Sequence, residues 1–540
     1  VGLSLSELPE HLFGPDTRWP GYLAARWLFL RALGLIFFSA FYSLFFQIRG
    51  LIGPEGILPA QNDLRQIAQV MGESRFWFAP TVLWWSSSDR MLLAVAIVGM
   101  AASLLLLFNL APRGMILICL VAFLSFVSAA RDFSSYQSDS MLMEAGFVSL
   151  FFAPSGWRPG WGVLQPASRA SRYLLVWLWF RIYFESGLAK MLSHDSEWRN
   201  FTAMDQYYQN GPLPTWIAWY AQHLPHWFHA ATVFLTLALE LVLVFAVFLP
   251  RRFRIALFFV VTPWQIGIIL TSNYAFLNYL VLALGVLLLD DKFLSRLLPQ
   301  RLRVPAAPGP SAPSLASPEL SPGSRWRSHF QTGTRKFRLS VQGFFLTWQF
   351  YATSLWLLLM VFHTSPLPLS PVRALEPFRV ADQYGLFAVM TPNRYEIEFQ
   401  GSRDGQTWLA YPFRYKPQDP HTPPRIFAPY QPRFDWNLWF ASLGTWREYP
   451  FVVRTEQRLL EGSPDVLALF AGNPFPRTPP RMVRAILWRY WFSDWEEKRE
   501  EGLWWDRDRI GLYAPSLERL PDGKIAVQDW PETSGEAPRP

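Results

Sequence analysis

Six ionisable residues lie inside stretches otherwise apolar enough to cross a bilayer: Asp139 and Glu144 in YQSDSMLMEAGF, Arg181, Glu185 and Lys190 in YLLVWLWFRIYFESGLAKML, and Glu240 in TLALELVLVF. Each unpaired charge in such a place costs about 2.5–3.5 kcal/mol or more, so these residues need partners and are functional candidates by default. The chemistry open to them is proton transfer, ion binding or ion pairing. Arg181 and Glu185 are four apart and share a helix face, where they can neutralise each other; the plain reading is a structural pair that fixes helix packing. Lys190 points elsewhere. Near the end of its run it either snorkels to the interface or faces a water-filled cavity with acids from other helices. Glu240 sits among Leu and Val, where a carboxyl that ties helices together and a functional acid are equally good readings. Asp139 is explained by a helix N-terminus, which favours acids; Glu144 lies deeper and is not.

His223, His226 and His229 in HLPHWFH invite a zinc reading, but Pro225 interrupts the spacing and no neighbouring acid in the sequence completes a catalytic set. Interfacial histidines among aromatics are the better account, so no metal site is assigned. The chain shows no GxSxG elbow, no glycine-rich phosphate loop and no HExxH, which argues against an ordinary hydrolase or kinase. Its one cysteine, Cys119, excludes an intramolecular disulfide. No nucleic-acid module is present, and the NFT sequon at Asn200 to Thr202 is a weak signal alone.

These residues must be positioned by a membrane bundle. Hydrophobic residues make up 51% and charged ones only 17%, with 27 Trp and 45 Phe, a composition that points to lipid-embedded spans with interfacial aromatic belts. Spans are expected near Leu23–Phe46, Met91–Asn109, Gly114–Phe133, Met141–Ala153, Ser171–Leu192, His229–Leu249, Phe253–Thr271, Ala275–Leu289 and Val341–His363. The Met141 piece is short for a crossing and can also be read as re-entrant. The first span reads as an uncleaved anchor. The fold class is therefore a polytopic α-helical bundle of about eight or nine spans followed by a β-rich exocytoplasmic domain. With the N-terminus in the cytoplasm, Arg113, Arg158, Arg169, Arg172 and RRFR at 251–254 all fall inside, which also accounts for the net charge of +8. Residues 1–290 are then the multi-span domain, 291–338 a Pro/Ser-rich basic tether in the cytoplasm, 339–364 the last span, 365–515 the outer domain and 516–540 a flexible tail. In the outer domain RYEIEFQGSRDGQTWLAYPFRYK alternates: Tyr395, Ile397 and Phe399 take one face, Glu396, Glu398 and Gln400 the other, and Asp404-Gly405 supplies a hairpin turn.

Several long pieces, in order, now carry a resemblance: DSMLMEAGF, GLAKML followed by EWRNFTAMDQYYQNGPLP, HWFHAATVFLTLALEL, SNYAFLNYLVLALGVLLLDD, QGSRDGQTW, APYQPRFDWNLWFASLG, RLLEGSPDVLALFAGNPFP and PPRMVRAILWRYWF. Over most of its length the chain resembles the lipase maturation factor family. The resemblance implies a multi-pass protein, of the endoplasmic reticulum membrane in eukaryotic members and of the inner membrane in a bacterium, that helps secreted dimeric lipases reach an active fold. It implies a lumenal or periplasmic C-terminal domain that binds the client without a cofactor. By that route Arg433, Asp435, Trp436, Trp439 and Phe440 are the client-contact candidates, against the alternative that aromatics in a small domain are core.

The membrane half also resembles the multi-span module of vitamin K-dependent gamma-glutamyl carboxylases, through GLAKM with Lys190 and then Glu197-Trp198. That resemblance implies a quinone- or lipid-dependent enzyme with Lys190 as base, because a lysine desolvated in an apolar cavity can hold a free amine. A folding factor is the leading reading and the enzyme the alternative. A transporter ranks last, since no broken-helix pair suggests an internal repeat.

Overall fold

The structure, a computed structural model, describes residues 8–14, 21–134, 136–297, 299, 322–364 and 367–532, with side chains for all of these except 322–332. Length and apolar composition mark six helices as able to cross a membrane: Leu23–Ile52, Asp89–Leu107, Pro112–Ala129, His226–Phe248, Arg251–Thr271 and Gly333–Phe362. Three more run between the same two ends but are shorter or more polar: Gln137–Phe152, Arg169–Leu192 and Leu277–Leu288. With these three the described residues hold nine helices in the stretches where the hydropathy pattern places about eight or nine spans, six of them long and apolar enough to cross. The three exceptions are interior helices. Gln137–Phe152 is buried on nearly every face, whereas Arg251–Thr271 buries only Leu257, Val261 and Gln265. A helix surrounded by protein need not match lipid in length or polarity, so the shortness of the Met141 segment follows from its central place.

The arginine-rich loops gather at one end. Arg26 donates to the carbonyls of Trp161, Gly162 and Gln165, Arg113 donates to that of Ala153, and Arg251 pairs with Asp290. Asp291 reaches back to accept the Leu23 and Ala24 N–H groups, both at 2.8 Å, so the first helix is capped by a residue 267 positions later in the chain. The opposite end carries the C-terminal domain. Its sheet is antiparallel in the order β2-β1-β3-β5-β6, with β4 also paired to β3: β1 Arg394–Ser402, β2 Trp408–Ala410, β3 Met482–Phe492, β4 Trp505–Leu512, β5 Ser516–Arg519 and β6 Ile525–Asp529. Helices Arg433–Ser442 and Phe451–Glu461 pack against β1 and β3.

The structure differs from the sequence expectations in three places. Residues 516–529 of the expected tail form β5 and β6, because Leu517 is buried and pairs with Val483; residues 533–540 lie outside the described residues. Of the expected tether, Asp291–Leu297 is helical and the last long helix already begins at Pro322, while 298 and 300–321 lie outside the described residues. The hairpin is present with its turn at Asp404-Gly405, Gly405 taking φ +74°. Its polar face, however, is not solvent-facing. Glu396 and Glu398 are buried under the proline-rich loop that follows β2; Glu396 accepts from Arg394 at 2.5 Å and from Lys416 at 2.6 Å. Alternation distinguishes two faces, and it cannot tell a wet face from a charged one covered by a loop.

The domain approaches the bundle closely at Gly50, near the end of the first helix. A Cβ there would stand 2.4 Å from the Asp465 carbonyl and 2.8 Å from Leu469, beside the Arg49–Asp465 ion pair of 2.6 Å. Gly50→Val is therefore expected to push the Pro464–Leu467 turn away at a cost of about 1–3 kcal/mol. Limited proteolysis of the purified protein reads this as faster release of the C-terminal fragment; unchanged cleavage would mean that the two halves separate without penalty.

Candidate functional site

The helix Arg169–Leu192 starts on Ser168, whose hydroxyl accepts the Ser171 N–H. It buries Arg181, Glu185, Ser186 and Lys190. At 3.6 residues per turn Lys190 lies half a turn around from Arg181, so no single helix could answer both charges. They are answered by an extended strap, Asp382–Arg394, that leads from the last span into β1 and winds across this helix.

Arg181 donates to both oxygens of Glu144 at 2.5 and 2.7 Å and to the Asp382 carbonyl at 2.8 Å. Glu185, the expected partner, stands 3.6 Å away and instead accepts the Tyr384 N–H at 2.8 Å, while the Tyr384 hydroxyl donates to Glu144 at 2.7 Å. Lys190 donates to both oxygens of Glu240 at 2.9 and 3.1 Å and to the Leu386 carbonyl at 2.9 Å; its ammonium lies 5.0 Å from the Trp198 ring centre. The strap continues in the same manner. Trp198 donates to the Phe387 carbonyl, Ser193 to that of Ala388, Asn210 to that of Thr391, and Asp195 accepts the Met390 N–H at 2.6 Å. Arg394 ends it, donating to the carbonyls of Gln209, Gly211 and Pro212.

A second clasp lies beside the first. Arg433 forms a two-pronged pair with Asp139 at 2.7 and 2.8 Å and donates to the Phe133 carbonyl. Asn437 donates to the Asp132 carbonyl, Trp439 donates to that of Asn210, and Trp436 and Phe440 pack on Tyr136 with ring centres 5.4 and 6.0 Å away. Gln47 and Asn273 complete it by binding the backbone of Gln431 and of Arg425, Phe427 and Ala428.

All six in-membrane charges are thus placed in pairs or triads. The five client-contact candidates are placed in the seam between domain and bundle: Arg433, Asp435, Trp436 and Trp439 are buried and Phe440 half-buried, so in this arrangement they offer no open face to a second protein. Asp435 accepts the Tyr415 and Lys416 N–H groups at 3.3 Å, and burial pushes its carboxyl up to about 6 against the pull of Lys416. Among the histidines, His226 and His229 donate to Asp205, an acid that the local motif does not reveal. Among the described residues no group of three His, Cys, Asp or Glu is arranged to hold a metal. Gln47, Asn273, Asp195, Asn210 and Tyr384 are missing from the sequence-level candidates. Gln47, inside the apolar FFQIRG, carried a usable signal; Asn273, Asp195 and Asn210 bind backbone atoms, which leave no motif, and Tyr384 meets Glu144 and Glu185 from a distant part of the chain.

Chemically this is a clamp. Two carboxylate oxygens and a carbonyl take up the hydrogen-bonding positions of the Lys190 nitrogen, so the geometry lends no support to the carboxylase-like alternative. Beside the clamp lies an apolar cavity of about 280 Å³, walled by helices Arg169–Leu192, His226–Leu241 and Arg251–Thr271 and roofed by Leu386 and Phe387 of the strap.

Comparison with known families and proteins gives a consistent result. The model of the lipase maturation factor transmembrane domain matches residues 24–296, and that of the lipase maturation factor C-terminal domain matches 380–515. Lipase maturation factor 1 of Bos taurus is 32% identical over 94% of this chain and 91% of its own length. The human protein of that name is 31% identical over 95% and 90%, and human lipase maturation factor 2 is 31% identical over 91% and 82%. No solved structure matches significantly.

Two expected outcomes follow from the clamp. Removing one partner of a buried pair costs about 3–5 kcal/mol, because the other is left charged, whereas an apolar pair of similar volume can be neutral. Lys190→Met and Glu240→Leu should each lower the thermal midpoint strongly, and the double variant should recover most of the loss; additive losses would mean that the two groups do not form a pair. Asp435 tests pH. A carboxyl raised from 3.8 to about 6 in the folded state adds stability below about pH 4 and loses that contribution as pH rises through about 6. Asp435→Asn should flatten the pH dependence of the midpoint between 4 and 7 and leave it equal or higher at pH 7.5; a clear fall at pH 7.5 would make the charged form the stabilising one.

Proposed function

This chain belongs to the lipase maturation factor family, and from that premise we propose that it is a membrane-embedded factor that assists the maturation of secreted lipases through its C-terminal domain. The observation that carries the reading is the match of both family domains, in order, to the two halves that the strap clasps together. The relatives named for lipase maturation share nearly the whole chain, so the proposal concerns the intact assembly. The gathering of the basic loops at the end away from the sheet supports a C-terminal domain on the exported side, lumenal in an endoplasmic reticulum membrane or periplasmic in an inner membrane. A client folding there meets the domain on the side from which it leaves the cell.

Arg433, Asp435, Trp436, Trp439 and Phe440 act, on this reading, by holding the domain in register with the bundle. Lys190 and Glu240 hold the strap. No cofactor is required for such a role.

The test is rescue. Cells lacking their own lipase maturation factors and secreting a dimeric lipase are supplied with the wild-type chain, with the double variant Lys190→Met/Glu240→Leu, or with Arg433→Ala. Wild type should raise secreted activity per mass of lipase, the double variant should do so nearly as well, and Arg433→Ala should fail by about tenfold if the buried Asp139 left behind costs several kcal/mol. No rise with well-expressed wild type would sink the proposal, and loss in the double variant at normal abundance would return chemistry to Lys190.

A further inference from the structure

The cavity beside the clamp reaches the exposed apolar surface of the bundle at Gly267. Gly267 lines it and is itself exposed, on a helix whose neighbouring side chains Phe259, Ile266 and Leu270 are also exposed. The helices that flank the mouth, His226–Leu241 and Arg251–Thr271, are joined through Leu243–Phe248 at one end, and Trp216–Gln222 packs on the second near its other end; they share no extensive seam of their own. Phe234 and Leu235 continue the exposed apolar surface on the far side of the gap. On the strap side Leu386 and Phe387 close the roof. A cavity that reaches an apolar outer surface and is roofed by the strap meets acyl chains far more often than water.

Its lining is apolar with a few polar groups in fixed places. Tyr183 donates to Gln265 at 3.0 Å, Thr236 donates to the Thr232 carbonyl, and Lys190 is saturated by Glu240 and Leu386. Asn278 differs. It lines the cavity, is 3% exposed, and its amide nitrogen has no hydrogen-bond partner. A buried donor left unpaired costs about 1–3 kcal/mol, and an acceptor brought by a ligand would remove that cost. The volume, about 280 Å³, lies just under the about 300–1,000 Å³ of small-molecule sites, enough for part of one chain and too little for a two-tailed lipid.

We propose that this cavity is a binding site for a single acyl chain, entered sideways from the bilayer at Gly267, with the chain's carbonyl accepting a hydrogen bond from Asn278. The chain belongs either to a membrane glycerolipid or to a free fatty acid; the chemistry of recognition is the same. Because the roof belongs to the strap, an occupied cavity favours the docked arrangement by mass action. The inference is independent of the maturation role.

The test uses the purified full-length protein in nanodiscs with two photoactivatable probes: palmitic acid bearing a diazirine on its chain, and a phosphatidylcholine carrying that chain. Wild type should be labelled on the peptides that contain Thr232–Glu240 and Trp264–Ile268. Nothing stands within 4 Å of a Cβ at Gly267, so Gly267→Trp should fill the mouth without displacing neighbours, keep or raise the thermal midpoint, and cut labelling by about tenfold, the equivalent of about 1.4 kcal/mol. Should that variant fail to fold, Thr232→Phe narrows the mouth from the opposite wall and gives the same readout. Asn278→Leu keeps the volume and removes the donor, so it should weaken labelling severalfold while preserving the fold. Labelling by the phosphatidylcholine probe identifies a bilayer lipid as the source, and labelling by the acid alone identifies a free fatty acid. Labels that miss these peptides, or that Gly267→Trp leaves unchanged, overturn the proposal.

Discussion

A guanidinium and an ammonium on opposite faces of one buried helix must be neutralised where water cannot reach them, and that need governs how the rest of this chain is arranged. Arg181 and Lys190 cannot share a partner, so Glu144 and Glu240 are brought from two different helices, and the remaining hydrogen bonds are supplied by the backbone of a strap from a third part of the chain. A buried ion pair is in itself weak evidence of stability, because desolvation offsets much of the attraction. What it supplies here is placement. The strap has one register in which Asp382, Tyr384 and Leu386 all meet their partners, and that register sets where β1 begins.

From this it follows that the two halves are not a membrane anchor with an appended domain. The strap and the Arg433–Asp139 clasp both cross between them with fully buried charges, and the first helix passes close enough to the domain to exclude any side chain at Gly50. Truncating one partner of such a pair strands the other. Substitutions in the membrane half are therefore felt in the sheet domain and the reverse, so a defect in lipase maturation caused by a domain residue does not by itself locate a client surface.

The parts legible in the sequence were those with a repeating physical signal. Apolar runs located the membrane helices, the short interior one among them, and period-two alternation with Asp404-Gly405 located the hairpin. The motif blocks located the family. Illegible were the partners. Arg181 and Glu185 satisfy the i,i+4 rule, yet Arg181 binds Glu144 more closely, 37 residues away, because a carboxylate on a facing helix brings both oxygens within hydrogen-bond distance of Nη2 while the neighbour stands at 3.6 Å. The strap is invisible for a similar reason: it works through carbonyls and N–H groups, which every residue has. The aromatics of RFDWNLWF were client-contact candidates through the family resemblance alone, against the alternative that they are core, and the structure holds them in the seam.

The same reasoning separates chemistry from architecture in the membrane half. A charged side chain in an apolar interior is usually taken as a sign of function, but the sign depends on whether its hydrogen-bonding capacity is used up. Lys190 has two carboxylate oxygens and a carbonyl around it and a ring beside it, the contacts of a group that holds neighbouring segments together. Asn278, uncharged and unremarked in the sequence, keeps a free donor next to an apolar cavity that opens toward lipid. Where a buried polar group beside a cavity remains unsatisfied, an absent molecule is the economical explanation, and among the described residues Asn278 is the one such group that lines this cavity.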